Sequence, residues 1–206
     1  MADRILLFDI GNVIIDWQPI QLYRQIFGNQ AEAEAFLREV CTMDWHVEHD
    51  RGRSFAEGAR ILKAEFPHHA DAIDAWRGRW WDMFDGYVDG VPALIARLEE
   101  AGHPLFGLSN MSHEVWPETC ERFPILKVLR EVLISGEVGL VKPDPAIYEA
   151  TYEMMGRPDK ASVFFIDDSL RNIEAARAFG FGAHHFTCGQ ALEKALVENG
   201  FLSSAT

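Results

Sequence analysis

Phe8-Asp9-Ile10-Gly11-Asn12-Val13 closes the short apolar run Ile5-Leu6-Leu7-Phe8, and the reading of that junction decides the fold. Four consecutive apolar residues stopped by Asp9, Gly11 and Asn12 have the form of a strand buried on both faces and cut short by turn residues. Comparable short runs recur at 104–108, 131–134, 163–166 and 183–186. Helical patterns lie between the later runs, at 91–101 (Leu94, Ile95 and Leu98 on one stripe), 145–155, 169–179 and 190–198. Strands alternating with helices predict an α/β chain whose parallel sheet is covered on both sides and whose crossovers are right-handed.

Residues 17–86 break this rhythm. They offer no strand and read instead as helices at 20–27, 30–40, 54–65 and 70–83, separated by Gly28-Asn29, Asp50-Arg51-Gly52 and Pro67. Five of the six tryptophans, Trp17, Trp45, Trp76, Trp80 and Trp81, fall here, enough aromatic surface for a core or pocket wall of its own. The expectation is a helical cap at 17–86 inserted into a core made of 1–16 and 87–206. Trp17 and Trp45 are the two tryptophans expected nearest a substrate, and the terminal Ser203-Ser204-Ala205-Thr206 is expected to fray.

Composition narrows the setting. The 206 residues hold 19 Lys and Arg against 32 Asp and Glu, a formal charge of −13 that disfavours nucleic acid and anionic membranes as partners. Any anionic ligand must therefore meet a local positive site. Cys41, Cys120 and Cys188 are odd in number, widely spaced and without CxxC grouping, which fits a reducing cytoplasm better than a disulfide framework or a zinc site. No secretory pattern opens the chain and no stretch is apolar enough to span a bilayer, so a soluble cytoplasmic protein is expected.

In an open parallel sheet the ligand sits beyond the carboxyl ends of the strands. Asp9 follows the first run, Ser109-Asn110 the second, Lys142 lies in Val141-Lys142-Pro143-Asp144 between the third run and its helix, and Asp167-Asp168 follow the fourth. That assortment suits displacement at phosphorus by a carboxylate. Asp9 would attack to give an aspartyl phosphate, Mg²⁺ would bridge Asp9 and the acid pair, Lys142 would supply positive charge, and Ser109 would bind phosphate oxygens. Taken singly each feature has a plainer reading: Asp9 as a turn acid, Ser109-Asn110 as a helix cap, Asp167-Asp168 as acids at a helix N-terminus. Asn172 lies one turn further on, able to orient the acid pair or to face solvent.

Phe8-Asp9-Ile10-Gly11-Asn12-Val13, Leu108-Ser109-Asn110, Val141-Lys142-Pro143-Asp144 and Phe165-Ile166-Asp167-Asp168-Ser169 together resemble the four ordered motifs of the haloacid dehalogenase-like (HAD) hydrolase superfamily, subfamily I. The nearest branch is that of alpha-glucose-1-phosphate phosphatase-like and 2-haloacid dehalogenase-like proteins. The resemblance implies a Rossmannoid three-layer core, a five-stranded sheet of order 5-4-1-2-3, and a helical cap. It makes Asp9 the nucleophile, Ser109 and Asn110 phosphate ligands, Lys142 the charge stabiliser, and Asp9, Asp167, Asp168 and the Gly11 carbonyl the Mg²⁺ ligands. A small phosphorylated metabolite is the implied substrate, for a monomer or homodimer.

Gly11 departs from that pattern, because most phosphatases of the family carry there a second aspartate that protonates the leaving alcohol. Loss of a general acid forfeits about 10²–10⁴-fold in rate. A cap residue could supply the proton, with His46, Glu48, His49 and Asp50 as candidates, although polar residues of this kind are expected on the cap surface. Alternatively Asp9 attacks carbon in a metal-free 2-haloacid dehalogenation that needs no proton, or the chain binds a phosphate ligand with little turnover. The acid pair counts against dehalogenation, since two carboxylates beside an attacking aspartate repel it without a cation.

Overall fold

The computed structural model describes residues 4–203, so all but Ser203 of the expected frayed tail lies outside it. Five strands, β1 (Ile5–Phe8), β4 (Leu105–Ser109), β5 (Val132–Ile134), β6 (Val163–Asp167) and β7 (Gly182–His185), form one sheet in the order β5-β4-β1-β6-β7. Every neighbouring pair is parallel. Counted among these five strands the order is the expected 5-4-1-2-3, and β1 is the centre at which the winding direction reverses. A crevice opens at such a point.

Alternation along β1 explains the two-sided burial: Leu6 and Phe8 join one apolar cluster, Ile5 and Leu7 the other. The first face is covered by α6 (Val91–Glu100), α7 (Trp116–Arg122) and α11 (Gly189–Glu198), which contribute Leu94, Leu98 and Leu192 among others. The second is covered by α9 (Pro145–Met154) and α10 (Leu170–Phe179) through Ile147, Tyr148, Ile173 and Ala176. A short α8 (Ser135–Val138) follows β5 directly. Among the described residues no helix is long and apolar enough to cross a membrane.

After β1 the chain leaves the sheet through β2 (Ile15–Trp17) and returns through β3 (Phe84–Tyr87), which pair antiparallel as a two-stranded ribbon. Between them lie α1 (Pro19–Phe27), α2 (Gln30–Glu39), α3 (Met43–Asp50), α4 (Phe55–Glu65) and α5 (Ala70–Gly78), with 3-10 turns at Pro67–His69 and Trp80–Met83. Three features differ from the sequence expectation. The ribbon, at the two boundaries of the helical segment, is not expected, because three and four residues are too few for alternation to show. The helix expected over 70–83 stops at Gly78, where Arg79 takes a non-helical φ of −123°. And α3 was not expected at all, although Thr42 caps it, its Oγ1 accepting from the Trp45 N–H at 3.1 Å.

Tyr23, Phe36, Trp76 and Trp80 belong to the same apolar cluster as Leu6, Ile10 and Ile14, so the helical segment is packed continuously onto the sheet layer. Arg77 of α5 also pairs with Glu118 of α7 at 2.6 Å, and the Phe55 N–H donates to Glu114 at 3.3 Å.

Candidate active site

The strand ends meet at Lys142. Its Nζ lies 2.9 Å from Asp9 Oδ1 and 2.7 Å from Asp167 Oδ2, and it donates to the Leu108 carbonyl at 3.1 Å. Three acceptors match the three N–H groups of an ammonium. Both Lys142 and Asp167 are buried, so the pair depends on this exact partnering. Asp167 is further held by the Asn172 carboxamide at 2.9 and 3.1 Å and by the Ser169 N–H at 2.8 Å. Asn172, left open by the sequence, is thus buried and orients Asp167.

Asn110 does something the sequence did not assign to it. Its Oδ1 accepts from the Lys142 N–H at 2.8 Å and its Nδ2 donates to the Lys142 carbonyl at 3.1 Å. The side chain thereby pins the lysine loop to the end of β4. Ser109, at the last position of β4, is buried and lines the cavity beside it.

Asp9, Asp167 and Asp168 each offer an oxygen within 4.8 Å of the others, the last of them exposed. Burial pushes the Asp9 carboxyl well above the ordinary carboxylate value, Lys142 opposes this, and Asp167 and Asp168 add to the rise. Burial by itself would depress the Lys142 ammonium, but Asp167 and Asp9 outweigh it and hold its pKa above the usual lysine value. Three carboxylates against one lysine leave excess negative charge, which suits a hard divalent cation with oxygen ligands. Among the described residues no backbone hydrogen bond uses the Gly11 carbonyl.

Above these groups is a cavity of about 530 Å³ shared by the strand ends and the helical segment. Its floor holds Asp9, Gly11, Asn12, Ser109, Asn110, Lys142 and Asp168, and its roof Trp17, His46, Val47, Asp50 and Trp80. Arg51 and Arg171, both exposed, line it as well, Arg51 lying 3.7 Å from Glu48. Trp17 is where the sequence suggested. Trp45 is not: its indole donates to the Gly58 carbonyl at 3.3 Å and packs edge-on to Trp76 at 5.2 Å, and Trp80 takes the roof position instead.

The polar stretch His46–Asp50 corrects the sequence expectation most. His46, His49 and Asp50 are buried, not on the surface, and only Glu48 is half exposed, paired with Arg53 at 2.9 Å. His46 stacks on Trp17 with ring centroids 5.0 Å apart and lies 3.7 Å from Asp50. His49 is wedged against Gly58, where an added Cβ would come within 2.1 Å of its ring, which is why α4 carries glycine there. The i, i+4 spacing of His46 and Asp50 behind a Thr42 cap was the available signal.

The family model for haloacid dehalogenase-like hydrolases matches residues 4–180. The chain belongs to that family. It is 24% identical over 192 residues to N-acetylmuramic acid 6-phosphate phosphatase of Pseudomonas aeruginosa, covering 87% of this chain and 80% of that one. A shorter match, 30% identical over 95 residues, covers 46% of this chain and 41% of (S)-2-haloacid dehalogenase from Pseudomonas putida. Among solved structures, a HAD family enzyme of Bacteroides thetaiotaomicron in complex with magnesium and inorganic phosphate superposes with a TM-score of 0.69 at 23% identity, covering 91% of this chain and 96% of its own.

Proposed function

We propose that this hydrolase acts on small phosphate monoesters of the sugar-phosphate kind, depends on Mg²⁺, and passes through an aspartyl phosphate on Asp9. The observation that carries the reading is the buried Asp9–Lys142–Asp167 chain of ion pairs, at 2.9 and 2.7 Å, with a third carboxylate beside it. Asp9, Asp167, Asp168 and the Gly11 carbonyl would hold the cation, and bound there it offsets the repulsion between the carboxylates and a phosphate dianion.

In the first half-reaction an Asp9 oxygen bonds to phosphorus while the ester P–O bond breaks and its electron pair leaves on the alcohol oxygen, which takes up a proton. Water then attacks phosphorus and releases the Asp9 carboxylate and phosphate. Because the three N–H groups of Lys142 are already engaged, its part is to align Asp9 and to set a positive field at the strand ends. Asn110 acts through Lys142 as a positioning residue, and the Ser109 hydroxyl is the side chain free to meet a phosphate oxygen. The named phosphatase relative and the neighbour solved with magnesium and phosphate support this reading.

Gly11 is the one observation that favours carbon as the target, and the dehalogenase relative shares that direction. The exposed Asp168 next to Asp167 weighs against it, since an uncompensated acid pair beside Asp9 discourages attack by a carboxylate. A panel of phosphate esters and 2-haloacids, assayed with Mg²⁺ and with excess EDTA, decides. Phosphate release that vanishes in EDTA and in D9N is expected. Halide release without metal, undiminished turnover in EDTA, or ligand-induced thermal stabilisation with no turnover of any ester would overturn it.

A further inference from the structure

Gly11 leaves the leaving-group oxygen without an acid on the core side, and the helical segment places one opposite. We propose that Asp50, at the C-terminal end of α3, is the general acid that protonates the leaving-group oxygen. This rests on the phosphatase reading above.

Elimination among the carboxyls that line the cavity points to Asp50. Asp44, Asp144 and Asp168 are exposed, Asp144 is also the cap of α9, accepting from the Ala146 N–H at 2.9 Å, and Asp9 is the attacking group. Asp50 alone comes from the roof and is buried, with only 4% of its surface exposed. Its Oδ1 is buried without a hydrogen-bond partner, and His46 Nε2, 3.7 Å away, is too far to be one. A buried polar atom left unpaired costs about 1–3 kcal/mol, a cost natural proteins avoid unless the atom has something else to bind.

The local backbone fixes this residue over the core. Just past Asp50 the chain turns at Gly52 with φ +101°, and an added Cβ there would sit 3.2 Å from the Gly136 carbonyl oxygen of α8. The end of α3 is thereby seated on the segment that runs from β5 to Lys142. Burial lifts the Asp50 carboxyl to about 8 against a smaller opposing pull from Lys142, so it holds its proton at neutral pH and sits near the value at which acid catalysis is efficient. Burial drives His46 down to about 3, which makes its imidazole neutral and a poor acid.

The proton balance closes. As the ester P–O bond breaks, the Asp50 carboxyl gives its proton to the departing oxygen and becomes a carboxylate. As water attacks the aspartyl phosphate, Asp9 leaves as carboxylate, the proton lost by the water passes to solvent, and Asp50 is reprotonated from solvent for the next turnover.

The test is a leaving-group series, p-nitrophenyl phosphate, phenyl phosphate and glucose 6-phosphate, assayed with Mg²⁺ on wild type, D50N and D50N/G11D. A nitrophenolate departs without a proton, so D50N should leave p-nitrophenyl phosphate turnover little changed while phenyl and sugar phosphates lose about 10²–10⁴-fold. Nothing lies within 4 Å of a Cβ added at Gly11, so G11D has room to return part of that loss. A loss equal across the series, or none, overturns Asp50 as the acid while phosphate release by wild type keeps the phosphatase reading. A wild type inert to the whole series overturns both. Thermal melting checks that D50N is folded; if it is not, D50E, which displaces the acid, must show the same selective loss, and a uniform loss in D50E overturns the proposal.

Discussion

The floor and the roof of the cavity treat buried polar groups in opposite ways. On the floor nearly everything polar is spoken for: Lys142 has three acceptors, both oxygens of Asp167 are bonded, and the Asn110 carboxamide is used at both ends. Among the described residues, six of the seven buried side-chain polar atoms without a partner belong to residues 17–80: Trp17, His46, His49, Asp50, Trp76 and Trp80. Four of those residues face the cavity. The floor's polar groups are matched to one another within the protein, whereas the roof leaves buried donors and acceptors unmatched. An unfilled hydrogen-bonding roof is unstable by itself, and its stability is recovered from the aromatic packing behind it.

The harshest way to break this comparison is K142M. It leaves Asp9 and Asp167 buried without their cation, a change that costs about 3–5 kcal/mol when one partner of a buried pair is removed. Turnover should fall by at least about 10²–10³-fold, the usual result of deleting a preorganised electrostatic group. Denaturant melting and phosphate release measure the two effects, and a K142M protein as stable as wild type would mean the floor is not organised around this residue.

A milder change tests the roof. W80F removes an indole N–H that has no partner, relieving part of a desolvation cost while giving up some ring volume. The two terms oppose each other, so stability should shift by no more than about 1 kcal/mol, while KM for a sugar phosphate rises. If W80F destabilises as severely as K142M, floor and roof do not differ in the way described.

The same contrast explains what the sequence could and could not show. β1 and β6 were legible because Ile5-Leu6-Leu7-Phe8 and Val163-Phe164-Phe165-Ile166 are buried on both faces, so burial is written directly in composition. Asp9, Lys142, Asp167 and Asp168 were legible because strand ends are fixed points in a parallel sheet, and a residue's place after an apolar run gives its place in space. The contact of the Asn110 carboxamide with the Lys142 loop was not legible, since no spacing rule tells which side chains tie down a neighbouring loop. The helix α3 was missed for a different reason: periodicity separates apolar from polar faces, and here the polar face carrying His46, His49 and Asp50 is turned inward. A cavity lined with polar groups looks in sequence like a solvent-facing surface.

The most selective expected effect is the pH dependence of stability in wild type compared with D50N. Asp50 titrates near 8 when folded and near the ordinary carboxylate value, about 3.9, when unfolded. A folded pKa raised in this way gives stabilisation that is whole below the unfolded value and is lost as pH climbs through the folded one. His46 runs the other way: lowered to about 3 in the fold, it gives stabilisation that is whole above about 6.5 and is lost as pH falls toward 3. Between pH 6.5 and 8 His46 is therefore silent, and Asp9 and Lys142 are common to both proteins and cancel in the difference. Within that window the Tm of wild type should fall relative to D50N as pH rises, because only wild type releases the Asp50 proton on unfolding, and a higher pH favours that release. Parallel Tm curves would show that Asp50 is already charged in the fold, and the roof would then present the same kind of carboxylate as the floor.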